Sequence, residues 1–177
     1  ASTMLEKQDL TIARMVVEEG RALVIAANKW DIVENREKAL GHLRDRLQTS
    51  LPQVKGIPYI TISAERGRNL DKLLHSIVET YDTWNRRVST SRLNRWLADM
   101  TAQHSPPLAK GRRIKLRYMT QIKTRPPTFA AFVSQPTELP EAYIRYLVNG
   151  LRESFQLTAV PIRFYLRGSK NPYVNDD

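Results

Sequence analysis

The chain's 177 residues carry 28 Lys and Arg against 18 Asp and Glu, with 41% hydrophobic and 26% charged positions, a composition of one large or two small folded domains rather than a disordered chain. It has no cysteine, which excludes disulfides and thiolate zinc sites and fits a reducing compartment, and no apolar run approaches the ~18 residues of a membrane span. Residues 1–84 balance 12 basic with 12 acidic groups, whereas residues 85–170 hold 16 basic against 4 acidic, a net +12 that predicts two units and a polyanionic partner for the second.

The first stretch, ASTMLEKQDL, lacks the basic-then-apolar order of a secretory signal. Thr3 and Glu6 have capping-box spacing ahead of a helix that reaches about Glu19. Leu10, Ala13 and Val17 fall on its inner face, and Gly20 is placed to end it. ALVIAA, residues 22–27, is too short for a helix and apolar on both faces, as a buried parallel strand is. Residues 35–48 predict a second amphipathic helix with Ala39, Leu43 and Leu47 in register, and IPYITIS, 57–63, a second buried strand. Asn69 is the expected cap of a third helix whose inner stripe is Leu70, Leu73, Leu74, Ile77, Val78, Tyr81 and Trp84. The order α-β-α-β-α is one side of a doubly wound α/β sheet, where ligands sit at the carboxyl ends of strands.

Both chemically pointed motifs lie at those ends. Asn28, Lys29 and Asp31 follow the first strand, and Ser63, Ala64 and Gly67 follow the second. Guanine offers two parallel donors, N1–H and the N2 amino group, which one ionised carboxylate accepts together. Its O6 needs a donor, which a backbone N–H at a Ser-Ala turn supplies. A lysine stem covers its flat face, and an asparagine ties the two loops together. The alternative is a plain polar βα turn. Asn-Lys-x-Asp alone decides little; with Ser-Ala-x-x-Gly at the next strand end it points to guanine.

At these residues the chain resembles P-loop GTPases. The wider text QDLTIARMVVEEGRALVIAANKWD is similar to the second G domain of the Der (EngA) family of tandem-G-domain GTPases. The resemblance implies that Asn28, Lys29 and Asp31 are the guanine-recognition motif and Ser63 with Ala64 the following loop. It implies GTP or GDP and Mg as cofactors of the parent protein. The chain departs from the family in having no Gly-x-x-x-x-Gly-Lys-Ser/Thr and no Asp-x-x-Gly ahead of Asn28. The expectation is therefore a C-terminal fragment that binds no cofactor and hydrolyses no GTP by itself.

In the second half, a helix from Ser91 carries Leu93, Trp96, Leu97 and Met100 on one side, and SPP, 105–107, stops it. RRIKLRYMT, 112–120, alternates, with Ile114, Leu116 and Tyr118 expected inward and Arg113, Lys115 and Arg117 outward. TRPP turns the chain and TFAAFV, 128–133, is the next strand. Residues 140–155 form a helix with Ile144, Leu147, Val148, Leu151 and Phe155 inward and Arg145, Asn149 and Arg152 on the outer face. PIRFYLR, 161–167, is the last strand, with Arg163, Tyr165 and Arg167 outward. The order α-β-β-α-β places Arg113, Lys115, Arg117, Arg163, Tyr165 and Arg167 on one open sheet face, a candidate RNA surface. The alternatives are a solvated face or one docked on another domain.

KGRRIKLRYMTQIKTRPPTFAAFV resembles the signature segment of the same family's C-terminal KH-like domain. No Gly-x-x-Gly occurs here, and SQPTELP contains no glycine, so clamping of a single strand in the KH manner is not expected. The fold expected is thus α/β throughout: a partial P-loop GTPase-type, Rossmann-like sheet over 1–84, a KH-like domain over 85–173 and a short tail over 174–177. The resemblance implies a cytoplasmic bacterial protein acting in assembly of the large (50S) ribosomal subunit. Its partners would be ribosomal RNA and its own upstream G domains, with no membrane. The rival readings are an RNA-binding scaffold without nucleotide function and an internal regulatory domain docked on the G domains.

Overall fold

The computed structural model describes residues 5–109 and 111–168 and divides into two compact units, residues 1–86 with 157–161 and residues 87–156 with 162–177. Thr3 and the tail lie outside the described residues.

In the first unit, α1 (Lys7–Glu18) begins on a capping box formed by Glu6 and Asp9. It ends where Gly20 takes φ +83° and the N–H of Arg21 reaches the Val16 carbonyl, the αL stop that the glycine's lack of a Cβ allows. β1 (Ile25–Ala27) pairs in parallel with β2 (Tyr59–Thr61), Ile25 opposite Tyr59 and Ala27 opposite Thr61. Between them runs α2 (Arg36–Ser50), capped by Asn35, whose side chain accepts from the Lys38 N–H. Ala13, Val17, Ala27, Leu43, Leu47, Leu51, Val54 and Ile57 close the core. α3 (Leu70–Trp84) completes the unit, and its Trp84 Nε1 donates to the Gly20 carbonyl at 2.9 Å.

Two expectations fail here. β1 is not enclosed: Ala27 is buried, but Ala26 is exposed, because β1 and β2 form a two-stranded sheet. Most of the apolar stripe of α3 faces outward, although Leu73 and Trp84 are half-buried. Leu74 is 64% exposed and Val78 57%, with Leu70, Ile77 and Tyr81 also exposed, while Ser76 and Thr80 are the buried positions of this helix. Helical periodicity marks which residues share a face; it does not say whether anything lies against that face.

The second unit starts with α4 (Thr90–Gln103), followed by a short hairpin of β3 (Leu108–Ala109) and β4 (Arg112–Arg113). A three-stranded sheet follows in the order β5 (Leu116–Lys123), β6 (Thr128–Val133), β7 (Arg163–Gly168). β5 and β6 are antiparallel, and β6 and β7 parallel, as a crossover through α5 (Glu141–Ser154) requires. The free edge of β5 is met by α4: the Asn94 amide donates to the Met119 carbonyl and accepts from the Met119 N–H, both at 2.9 Å. α4 and α5 approach closely at Gly150, where an added Cβ would lie 2.5 Å from Met100 Cε and 3.0 Å from Trp96 Cζ2. The unit thus keeps the expected α-β-β-α-β order, with the hairpin as an addition.

Candidate functional site

The carboxyl ends of β1 and β2 are laced together. The Ile62 N–H donates to the Ala27 carbonyl at 2.9 Å, and the Trp30 N–H donates to the Ile62 carbonyl at 3.0 Å. Asn28 crosses between the loops: its Oδ1 accepts from the Lys29 N–H at 2.7 Å and from the Ala64 N–H at 3.0 Å. Lys29 sits at φ +58°, which turns the chain into a single 3₁₀ turn, Trp30–Ile32, and leaves its side chain exposed.

Asp31 lies in that turn. Its side chain is 5% exposed and its Oδ2 is 3.3 Å from Arg66 Nε. A hydrogen bond from Ser63 holds the Asp31 carboxyl below the usual carboxylate range, with smaller help from its own backbone N–H and from Arg66 and Arg68. Ser63 is buried at the base of a tight turn in which it exchanges backbone bonds with Arg68 while Gly67, at φ +65°, reverses the chain. A cleft of about 260 Å³ opens at the same strand ends, lined by Trp30, Asp31, Arg36, Ser63 and Arg68 among others. All five predicted residues therefore fall on two adjacent loops. At the Ser-Ala turn expected to offer a backbone donor to O6, the Ala64 N–H is engaged by Asn28.

Sequence reasoning missed Arg66, the guanidinium on Asp31, because a side chain three residues into a turn has no periodicity to betray it. Asn69 takes the expected N-cap position of α3, but its side chain does other work. That residue stands at the start of α3 in the left-handed region, makes no capping bond, and donates to the Thr61 carbonyl at 2.8 Å, tying α3 to β2.

On the sheet of the second unit, cross-strand partners share a face. One face carries Met119, Gln121, Phe129, Ala131 and Val133, all buried. The other carries three rows: Tyr118, Phe132 and Arg167; Thr120, Ala130 and Tyr165; Lys123, Thr128 and Arg163. The expected cationic face is only half there. Arg163, Tyr165 and Arg167 are exposed on it, but Arg113 belongs to the β3–β4 hairpin, Lys115 precedes β5, and Arg117 sits at a register shift between Leu116 and Tyr118. That shift inverts the alternation, so Tyr118 is 42% exposed and Met119 fully buried, the reverse of the pattern read from RRIKLRYMT. Tyr118 stacks at a tilt on Phe132, 5.7 Å between centroids.

α5 also differs. Arg152, expected on the outer face, is buried, and burial lowers its guanidinium pKa. Tyr143 is buried too, donates to the His104 carbonyl at 2.6 Å, and is pushed up to about 12 by burial and by neighbouring Tyr146. Among the described residues no group of three or more His, Cys, Asp or Glu could hold a metal ion, and no helix is long and apolar enough to cross a membrane.

Residues 87–167 match the family model described as the KH-domain-like C-terminal domain of EngA bacterial GTPase enzymes. GTPase Der of Brucella anthropi is 52% identical over 98% of this chain, and GTPase Der of Brucella suis 51% over the same share. GTPase Der of Agrobacterium fabrum is 52% identical over 95% of it. The chain spans about a third of the length of these relatives, 35–36%. With the KH-like domain matched from Arg87 to Arg167 and the likeness running through the two laced loops of the first unit, the chain belongs to the GTPase Der (EngA) family.

Proposed function

We propose that the first unit is the base-recognition part of a GTP-binding domain and that the second is an RNA-contacting module, in a protein that acts in assembly of the large ribosomal subunit. The observation that carries the first half is the bond from the Ala64 N–H to Asn28 Oδ1, at 3.0 Å, which fixes the two loops on either side of Asp31. Asp31 is ionised at neutral pH, low in exposure and braced by Ser63. It carries the acceptor pair that guanine N1–H and N2 require, with Arg66 Nε 3.3 Å from its Oδ2. Lys29 lies over the base face.

The residues present fit the base and not the rest of GTP with Mg. No glycine-rich phosphate loop, with the Ser or Thr that would reach Mg, is in the sequence. Phosphate and Mg chemistry belong to the upstream G-domain residues of the full-length protein.

RNA contact rests on the net +12 of residues 85–170 and on the exposed Arg163, Tyr165 and Arg167. The nucleotide half is tested by competition between GTP and ITP on the full-length protein. ITP lacks the 2-amino donor and should bind at least about tenfold more weakly, since a site built around that donor is left with an unpaired acceptor. Equal affinity would refute recognition through Asp31.

A further inference from the structure

We propose that the open face of the β5–β6–β7 sheet is a stacking platform for unpaired RNA bases, with Tyr118, Phe132 and Tyr165 as its rings and Arg167 and Lys123 as cationic contacts at its rim. This rests on the RNA-contact reading above and adds the form of RNA and the residues that read it.

Three observations meet on this face. First, Tyr118 is 42% exposed and Tyr165 45%, a half-open state in which each ring presents a surface to solvent. Tyr118 leans on Phe132 at 5.7 Å, which fixes its plane and removes the entropy cost of ordering it on binding. Second, Tyr165 stands on the far strand, paired with the buried Ala130 and one row along from Tyr118 and Phe132. Two strand spacings separate β5 from β7, roughly 10 Å, enough for bases of one strand to settle on separate rings. Third, the three rows hold Lys123, Arg163 and Arg167 and no carboxylate.

These features select the ligand. An aromatic ring has nothing to stack on in a duplex, where base faces are already covered, whereas an unpaired base offers its whole face. Cations without acids around rings match a phosphate backbone with bases splayed toward the sheet. A protein surface docking here would need carboxylates to meet the same cations and would leave RNA binding independent of the tyrosines.

The test uses the full 177-residue chain and a fluorescein-labelled mixed-sequence ten-nucleotide RNA, single-stranded or annealed to its complement, read by anisotropy at several salt concentrations. The single strand should bind at least about tenfold more tightly than the duplex. Tyr118→Ala with Tyr165→Ala should lose at least about tenfold with the salt slope unchanged, because stacking is lost and phosphate contacts are kept. Tyr118→Phe with Tyr165→Phe should stay within about twofold of wild type. Arg167→Gln with Lys123→Gln should instead flatten the log–log salt slope by roughly 1.4. Should circular dichroism show the double alanine variant misfolded, Tyr165→Ala alone, on the edge strand, should still lose about fivefold. If wild type binds neither RNA form, the RNA-contact reading falls and the platform with it. If wild type binds and the folded alanine variants bind equally well, or if duplex and single strand bind alike, the platform alone is wrong.

Discussion

Asn28 accepts from two backbone N–H groups at once, its neighbour Lys29 at 2.7 Å and Ala64, thirty-six residues along the chain, at 3.0 Å. Asn28→Ala removes the acceptor that joins the two loops. Both donors are exposed, so water replaces part of the loss, and the expected cost is about 1 kcal/mol in urea unfolding. Asn28→Asp keeps an acceptor in the same place and should cost less than the alanine change. Equal losses would show that the side chain's bond to Ala64 does not hold the loops.

Asp31 gives a pH signature. Its folded pKa is depressed, so its contribution to stability is fully present above its unfolded pKa and is lost as pH falls through the folded one. Ser63 is the largest cause, so Ser63→Ala should raise the Asp31 pKa, as read by carbonyl NMR titration, and start acid destabilisation of the first unit at a higher pH. Arg66→Gln should raise it less, because that side chain is 57% exposed and solvent screens it. The opposite ranking would mean that the ion pair, not the hydroxyl, governs the carboxylate.

Two helical glycines should respond in opposite directions. Nothing lies within 4 Å of a Cβ built on Gly41 in α2, so Gly41→Ala should stabilise by about 0.5–1 kcal/mol through reduced unfolded-state entropy. At Gly150 an added Cβ meets Met100 and the Trp96 ring, and Trp96 is further fixed by its bond from Nε1 to Ser154 Oγ at 3.0 Å. Gly150→Val should therefore destabilise by about 1–3 kcal/mol. Thermal unfolding reads both, and a neutral Gly150→Val would show that α4 and α5 separate easily.

Much of this was legible in the sequence. The 3.6-residue pattern gave α1, α2, α3, α4 and α5 to within a few residues, and the residue pairs at the strand ends fell together because both strands are parallel and their loops exit on one side. What was not legible depends on partners or on backbone irregularity. The α3 stripe reads as inward because it is apolar, and burial is a property of what covers it. Tyr118 reads as inward because alternation assumes an unbroken strand, and a single register shift at Arg117 inverts it. Arg152 reads as outward because it is charged, although its helix position turns it into the fold.

The exposed stripe has its own consequence. Leu74 and Val78 are a turn apart on α3 and largely uncovered, so the isolated chain should self-associate through this face. Leu74→Lys with Val78→Lys should shift sedimentation toward monomer while changing stability by no more than about 0.5 kcal/mol per site. A wild-type chain that stays monomeric at high concentration would contradict it.

Recognition of guanine by Asp31 is decided by Asp31→Asn in the full-length protein, with GTP and XTP compared in the same binding assay. The amide loses the charged acceptor for N1–H and N2 but can donate to the 2-oxygen of xanthine. GTP affinity should fall by at least about tenfold and XTP affinity should rise. Unchanged GTP affinity, with XTP still excluded, would show that Asn28, Lys29 and Asp31 are only a structural turn.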